Sequence, residues 1–136
     1  MDIEETLRDC VKNRLADYGL ILCVLNSSNS SLFRFSRPRT DYTCSDTIKS
    51  ITSKNGWRSE CFDFCYYIDV TELFDQSSVK GNLLHDFFSD TKNHRATSDK
   101  SQLELTEKYW LNNSEVDDDG KKQVIGQSSA VIIYKS

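Results

Sequence analysis

Two histidines, His85 and His94, and five cysteines are the side chains of this 136-residue chain best suited to nucleophilic or metal chemistry. A thiol or hydroxyl nucleophile needs a base within hydrogen-bonding reach. No spacing in the sequence brings either histidine to a cysteine. His85 lies between Leu84 and Asp86 in an apolar helical segment and is expected at the helix surface or half-buried. His94 falls in a polar stretch and is expected to be solvated. Without C-x-x-C or H-E-x-x-H, no metal site is expected. The five scattered glycines form no phosphate cradle, so no cofactor is expected either. Asp117, Asp118 and Asp119 precede Gly120 without the twelve-position calcium-loop spacing and read as a solvated turn.

The cysteines sit at 10, 23, 44, 61 and 65, an odd and scattered set. Cys61 and Cys65 lie on a predicted strand, where residues four apart are separated by about 13 Å. A disulfide needs Cα atoms within about 7 Å, so the pair is expected reduced, with buried thiols. The first residues, "MDIEETLRD", lack the order of a signal peptide. No apolar run approaches the roughly 20 residues of a membrane span. The expected compartment is the cytosol or nucleus, with no membrane association.

A second kind of chemistry is suggested by "SLFRFSRPRT" (31–40), which holds three arginines and two phenylalanines. From Leu32 to Arg58 the local balance is +4, in a chain of net charge −4. Phe33, Arg34, Phe35, Arg37, Arg39 and Trp57 are the candidate partner-binding residues, since aromatics and arginine most often anchor interfaces. An acidic protein surface would meet these arginines. The alternative is a nucleic acid, with the arginines on phosphates and the rings stacked on bases. An ordinary strand with phenylalanines inward and arginines outward also fits the alternation.

The elements that position these residues follow from periodicity. Ile3, Leu7, Val11, Leu15 and Tyr18 predict a helix over 3–18, capped by Gly19. "LILCVL" (20–25) predicts a buried strand, and "LFRFSR" (32–37) its antiparallel partner across the turn at 26–31. Ser45 or Asp46 caps a short helix ending at Asn55-Gly56. "CFDFCYYIDV" (61–70) alternates as a strand, with Phe62, Phe64, Tyr66, Ile68 and Val70 on one face. Val79, Leu83, Leu84, Phe87 and Phe88 stripe a helix over 78–89. Residues 89–102 read as a long mobile loop, and 103–111 and 129–135 as closing strands; Trp110 is expected in the core. The fold class is α+β over 1–136 as a single domain: an N-terminal helix, then a mainly antiparallel sheet with one or two inserted helices.

"FDFCYYIDVTELF", "NHRATSD", "KYWLNNSEV" and "SSAVIIYK" together resemble the β-rich C-terminal half of a ubiquitin-specific protease domain, over residues 61–136. Ile68-Asp69-Val70 stands at the family's leucine-aspartate-leucine step, and His94 at its general-base histidine. Trp110, Asn112, Asn113 and Val116 match its tryptophan segment, and Ala130 to Tyr134 its terminal strand. Asn93 and Arg95 replace the glycine and tyrosine that flank the histidine, and the cysteine box is absent. The resemblance therefore implies an inactive, degenerate domain without peptidase activity.

The sequence predicts a protein that is not an enzyme. The expected role is a non-catalytic protein-interaction module, an adaptor or subunit of an assembly, with another protein as its partner. A nucleic-acid binder acting through 32–58 and a degenerate ubiquitin-protease-like domain are the alternatives.

Overall fold

The computed structural model describes residues 2–36 and 43–135. The α+β class holds, built on an antiparallel sheet. The chain opens with α1 (Ile3–Asp9), capped by the Asp2 carboxylate, which accepts from the Glu4 and Glu5 backbone N–H groups. A π-helical turn (Cys10–Arg14) prolongs it, closed by Leu15 N–H donating to the Cys10 carbonyl five residues back. The helix thus ends four residues earlier than its apolar spacing predicts. Tyr18, in left-handed backbone, is 96% exposed rather than part of the stripe.

Then follow β1 (Leu20–Asn26), α2 (Ser31–Ser36), α3 (Ser45–Lys54), β2 (Ser59–Asp69) and a 3-10 turn (Thr71–Phe74). The second half comprises α4 (Val79–Ser89), α5 (His94–Thr97), α6 (Lys100–Asn112), β3 (Ser114–Val116) and β4 (Lys122–Tyr134). The last strand is the centre of the sheet. β4 pairs antiparallel with β1, Leu22 opposite Ile132, and with β2, Phe62 opposite Ala130. β1 and β2 therefore run parallel on either side of it, and the short β3 pairs with its start.

Three segments differ from their predicted state. Residues 32–36 form a helix, because Leu32 and Phe35, three apart, both reach the aromatic core. The partner strand of β1 is β4 instead. Residues 103–111 are also helical: Asp99 accepts from Gln102 N–H and starts α6, which buries Thr106 and Trp110 four residues apart. The predicted loop at 89–102 accordingly contains α5 and the start of α6. The helix at 45–54, the strand at 61–69, the helix at 79–89 and the buried Trp110 agree with their patterns. α3 starts at Cys44 without a side-chain cap, and Gly56 takes the expected left-handed turn at φ 65°.

Two cores lie on opposite sheet faces. On one, Leu7 of α1 and Ile48 and Ile51 of α3 cover Val131 and Ile133, with Ile21, Cys23 and Leu25 alongside. On the other, Phe88 and Trp110 cover Val124 and Ile68 at the lower end of the β2–β4 pair. The upper end of that second face is uncovered: Leu20, Leu22, Val24, Phe62 and Phe64 are 45–61% exposed. β1 is therefore buried on one face only, not on both. All five cysteines are unbridged; Cys44 is buried, but Cys61 and Cys65 are exposed, contrary to expectation. Among the described residues no helix is long and apolar enough to cross a membrane.

Candidate functional site

The helix α4 turns an unexpected face inward. Val79, Leu83 and Phe87, spaced by four, are 63–75% exposed, while Gly81, His85, Phe88 and Ser89 are buried. Gly81 explains the choice. A Cβ there would lie 2.1 Å from the Glu72 carbonyl oxygen, so only glycine lets α4 lie against the 3-10 turn. That close approach rotates His85, one turn on, into the interior.

His85 is fully buried, and His94, expected in solvent, is 7% exposed. Their Nδ1 atoms are 3.4 Å apart and their rings stack at 5.6 Å between centroids. The Asp86 carboxylate sets this approach: one oxygen accepts from His94 N–H at 2.8 Å, the other from Asn93 N–H at 3.0 Å. These bonds from His94 and Asn93 hold its carboxyl below the usual range. The connection uses two left-handed residues, Asp90 and Asn93, types that tolerate that conformation.

The other edge of His85 is equally defined. Its Nε2 lies 3.2 Å from the Leu73 carbonyl oxygen and 3.4 Å from Glu107 Oε1. Arg95 closes the ring of contacts, donating to the carbonyls of Leu73 and Asp75 and to Asn82 Oδ1. Burial, with the nearby Arg95 and His94 charges, pushes the His85 pKa down to about 4, so the ring is neutral at pH 7.

His94 also lines a cavity of about 480 Å³ between α4, α5 and α6. Phe35, Phe88 and Leu105 form its apolar walls; Thr91, Thr97 and Thr106 are among its polar ones. Each of these threonines donates its hydroxyl proton to a backbone carbonyl, of Ser89, Asn93 and Gln102 respectively. What the hydroxyls retain is lone pairs. No lysine or arginine is among the described lining residues. The described lining offers acceptors and aromatic faces, which suit an amine or ammonium. Among the described residues no cluster of three or more metal-ligating side chains occurs.

The described members of the predicted partner-binding set, Phe33, Arg34, Phe35 and Trp57, are divided between the two sheet faces. Phe33 and Arg34 lie on α2, and Phe35 packs on Tyr109 and Trp110 at about 5 Å. Trp57 is half-buried against the aliphatic core, on the opposite sheet face. Arg37 and Arg39 lie outside the described residues. Sequence reasoning missed the His85–His94 pair because the apolar stripe of α4 pointed to the wrong face. The small, polar Gly81–His85–Ser89 series at four-residue spacing was the signal for the right one.

No family model matches the chain. It is 30% identical over 131 residues to histamine N-methyltransferase of Rattus norvegicus. That alignment takes in 90% of this chain but 43% of the relative, so the chain spans less than half the relative's length. A crystal structure of a methyltransferase candidate from Bacillus halodurans superposes with a TM-score of 0.43 at 18% identity, over 89% of this chain and 53% of that one. A superposition that weak carries no argument. The sequence match overturns the resemblance to ubiquitin-specific proteases, which rested on short degenerate motifs, whereas this one runs through nine-tenths of the chain. It also corrects the functional expectation. The relative is an enzyme, so the non-catalytic interaction module, adaptor or complex subunit falls. So do the nucleic-acid binder and the inactive protease-like domain.

Proposed function

We propose that the chain is the acceptor-binding part of an N-methyltransferase acting on a small amine of the histamine class. The observation that carries this reading is the 30% identity to histamine N-methyltransferase over 131 residues. The cavity supports it independently: acceptor-only hydroxyls and the rings of Phe35 and Phe88 match a ligand rich in N–H donors. Within the whole enzyme this part would hold the amine, orient its nitrogen and keep water from it.

Methyl transfer also requires an activated methyl donor, such as the nucleoside sulfonium S-adenosylmethionine, and the described residues do not fit one. Nucleoside cradles use glycines at a strand-to-helix turn so that backbone approaches the ligand. Here Gly81 and Gly126 are spent on packing, against Glu72 and the Tyr66 ring, while Gly56 and Gly120 close turns in open space. No glycine lies between β1 and α2. The donor therefore belongs to a further unit, corresponding to the part of the relative this chain does not span. The uncovered apolar half-face around Leu22 and Phe62, beside β1, is a suitable seat for it. The unbridged cysteines favour a reducing compartment, the cytosol or nucleus.

Titrating histamine, with acetate as the control, into 15N-labelled protein tests the acceptor role. Saturable amide shifts confined to Thr91, His94, Thr97 and Thr106 are expected with the amine alone. No response to histamine, or an equal response to acetate, overturns the reading.

A further inference from the structure

β1 ends the sheet on one side, and its bonds to β4 fix which of its backbone groups face outward. The Gly19 carbonyl accepts from Lys135 N–H, and Ser27 N–H donates to the Gln127 carbonyl, at the two ends of one register. Antiparallel pairs alternate between bonded and non-bonded, so the odd residues of β1 turn their N–H and C=O groups to β4. Leu20, Leu22 and Val24 turn theirs away from it, and among the described residues no strand meets them.

An open edge templates further strands, and proteins ordinarily guard it with charge, proline or a bulge. β2, which ends the sheet on the other side, carries Glu60, Asp63 and Asp69. β1 carries no such guard. Leu20–Asn26 contains no charged residue and no proline, and each residue pairs one-to-one with β4, so no bulge interrupts it. A continuous apolar run marks a strand covered on both faces, yet the Leu22 face of β1 is open as well.

We propose that β1 is an interior strand of the whole protein: its outer edge takes a β-strand from the donor-binding unit, which extends the sheet beside Leu20, Leu22 and Val24. This rests on the reading above that such a unit exists. More than half of the relative's length lies outside the match and leaves room for it. The chemistry of the occupant follows from the edge. Its main-chain N–H and C=O groups supply the bonds, and its alternate side chains continue the apolar face of Leu22 and Val24.

Amide exchange, read without histamine, tests this in the chain alone and in the full-length protein that carries the unit. In the chain alone Leu22 and Val24 are expected to exchange freely, while Cys23 and Leu25, turned to β4, are protected. In the full-length protein Leu22 and Val24 should slow by about tenfold or more. Free exchange there overturns the proposal. So does protection in the chain alone that grows with its concentration, since a second copy then takes the edge. Leu22→Pro removes an outward N–H and no bond to β4, and is expected to lower the protection of Val24 in the full-length protein. Unchanged protection overturns the pairing; should that variant fail to fold, the wild-type comparison alone decides. Slowed edge amides without a response to histamine overturn the acceptor reading only, and free edge amides with that response overturn only the strand pairing.

Discussion

The two cores differ in kind. The one under α1 and α3 is aliphatic, built from Leu7, Ile48, Ile51, Val131 and Ile133, with no ionisable group among them. The one under α4 and α6 is aromatic, with Phe88 stacked on Trp110 at 4.1 Å, and it borders a buried histidine pair and a cavity. Aliphatic packing stabilises and positions nothing in particular. Aromatic packing leaves gaps between rigid rings, and polar groups at those gaps must be partnered, which fixes their orientation. The candidate site sits on the second side for that reason.

The largest effect that separates the two is expected at Trp110. Trp110→Ala should cost about 3–5 kcal/mol in urea unfolding and abolish histamine-induced shifts, since the stack that walls the cavity goes with it. Ile48→Ala should cost about 2–5 kcal/mol and leave those shifts unchanged under conditions where the variant is folded. Loss of binding in both would mean that the cores do not divide as described.

Next in size is the response to acid between pH 4 and 6.5, to which the aromatic side contributes through His85. His85 titrates near 4 when folded, against an ordinary 6.5. Between those values the unfolded chain binds more protons, so stability falls as pH drops through that window, by about 3 kcal/mol in total. Below pH 4 this contribution is exhausted. The groups facing His85 are His94 from α5, Glu107 from α6, and Arg95. Urea midpoints at pH 7 and pH 5 should differ in the wild type and converge in His85→Phe.

Helix capping measures how much of this was legible. α3, β2 and α4 are legible because composition agrees with periodicity: Asn-Gly after α3, alternating aromatics in β2. α2 and α6 look like strands in sequence because "LFRF" and "LELTEKYWL" satisfy both periods over so few residues. Tertiary partners decided between them: Phe35 on Trp110, and Asp99 at the start of α6. The candidate site was illegible for a related reason. Nothing local relates His85 to His94; their meeting depends on Gly81 admitting the 3-10 turn and on Asp86 holding the backbone at 93 and 94. Asp99→Ala should cost about 1 kcal/mol, measured by urea unfolding, and loosen the first turn of α6, seen as faster amide exchange at Gln102 and Leu103.

The smallest effect is expected where neither core reaches. Leu22 lies on the uncovered half of the sheet face, 56% exposed, and Leu22→Ser should change the stability of this chain by no more than about 0.5 kcal/mol. A leucine at the matching central position of a covered strand would cost several times that. The small value bears on the proposed donor-binding unit. If a donor-binding unit seats on this half-face, the same substitution removes apolar contact there, and its cost should rise to that of a buried leucine once the unit is present. Unfolding midpoints measured for the chain with and without its adjoining unit therefore separate the two situations. A cost that stays near zero in both would show that the unit lies elsewhere, and that the apolar half-face faces water.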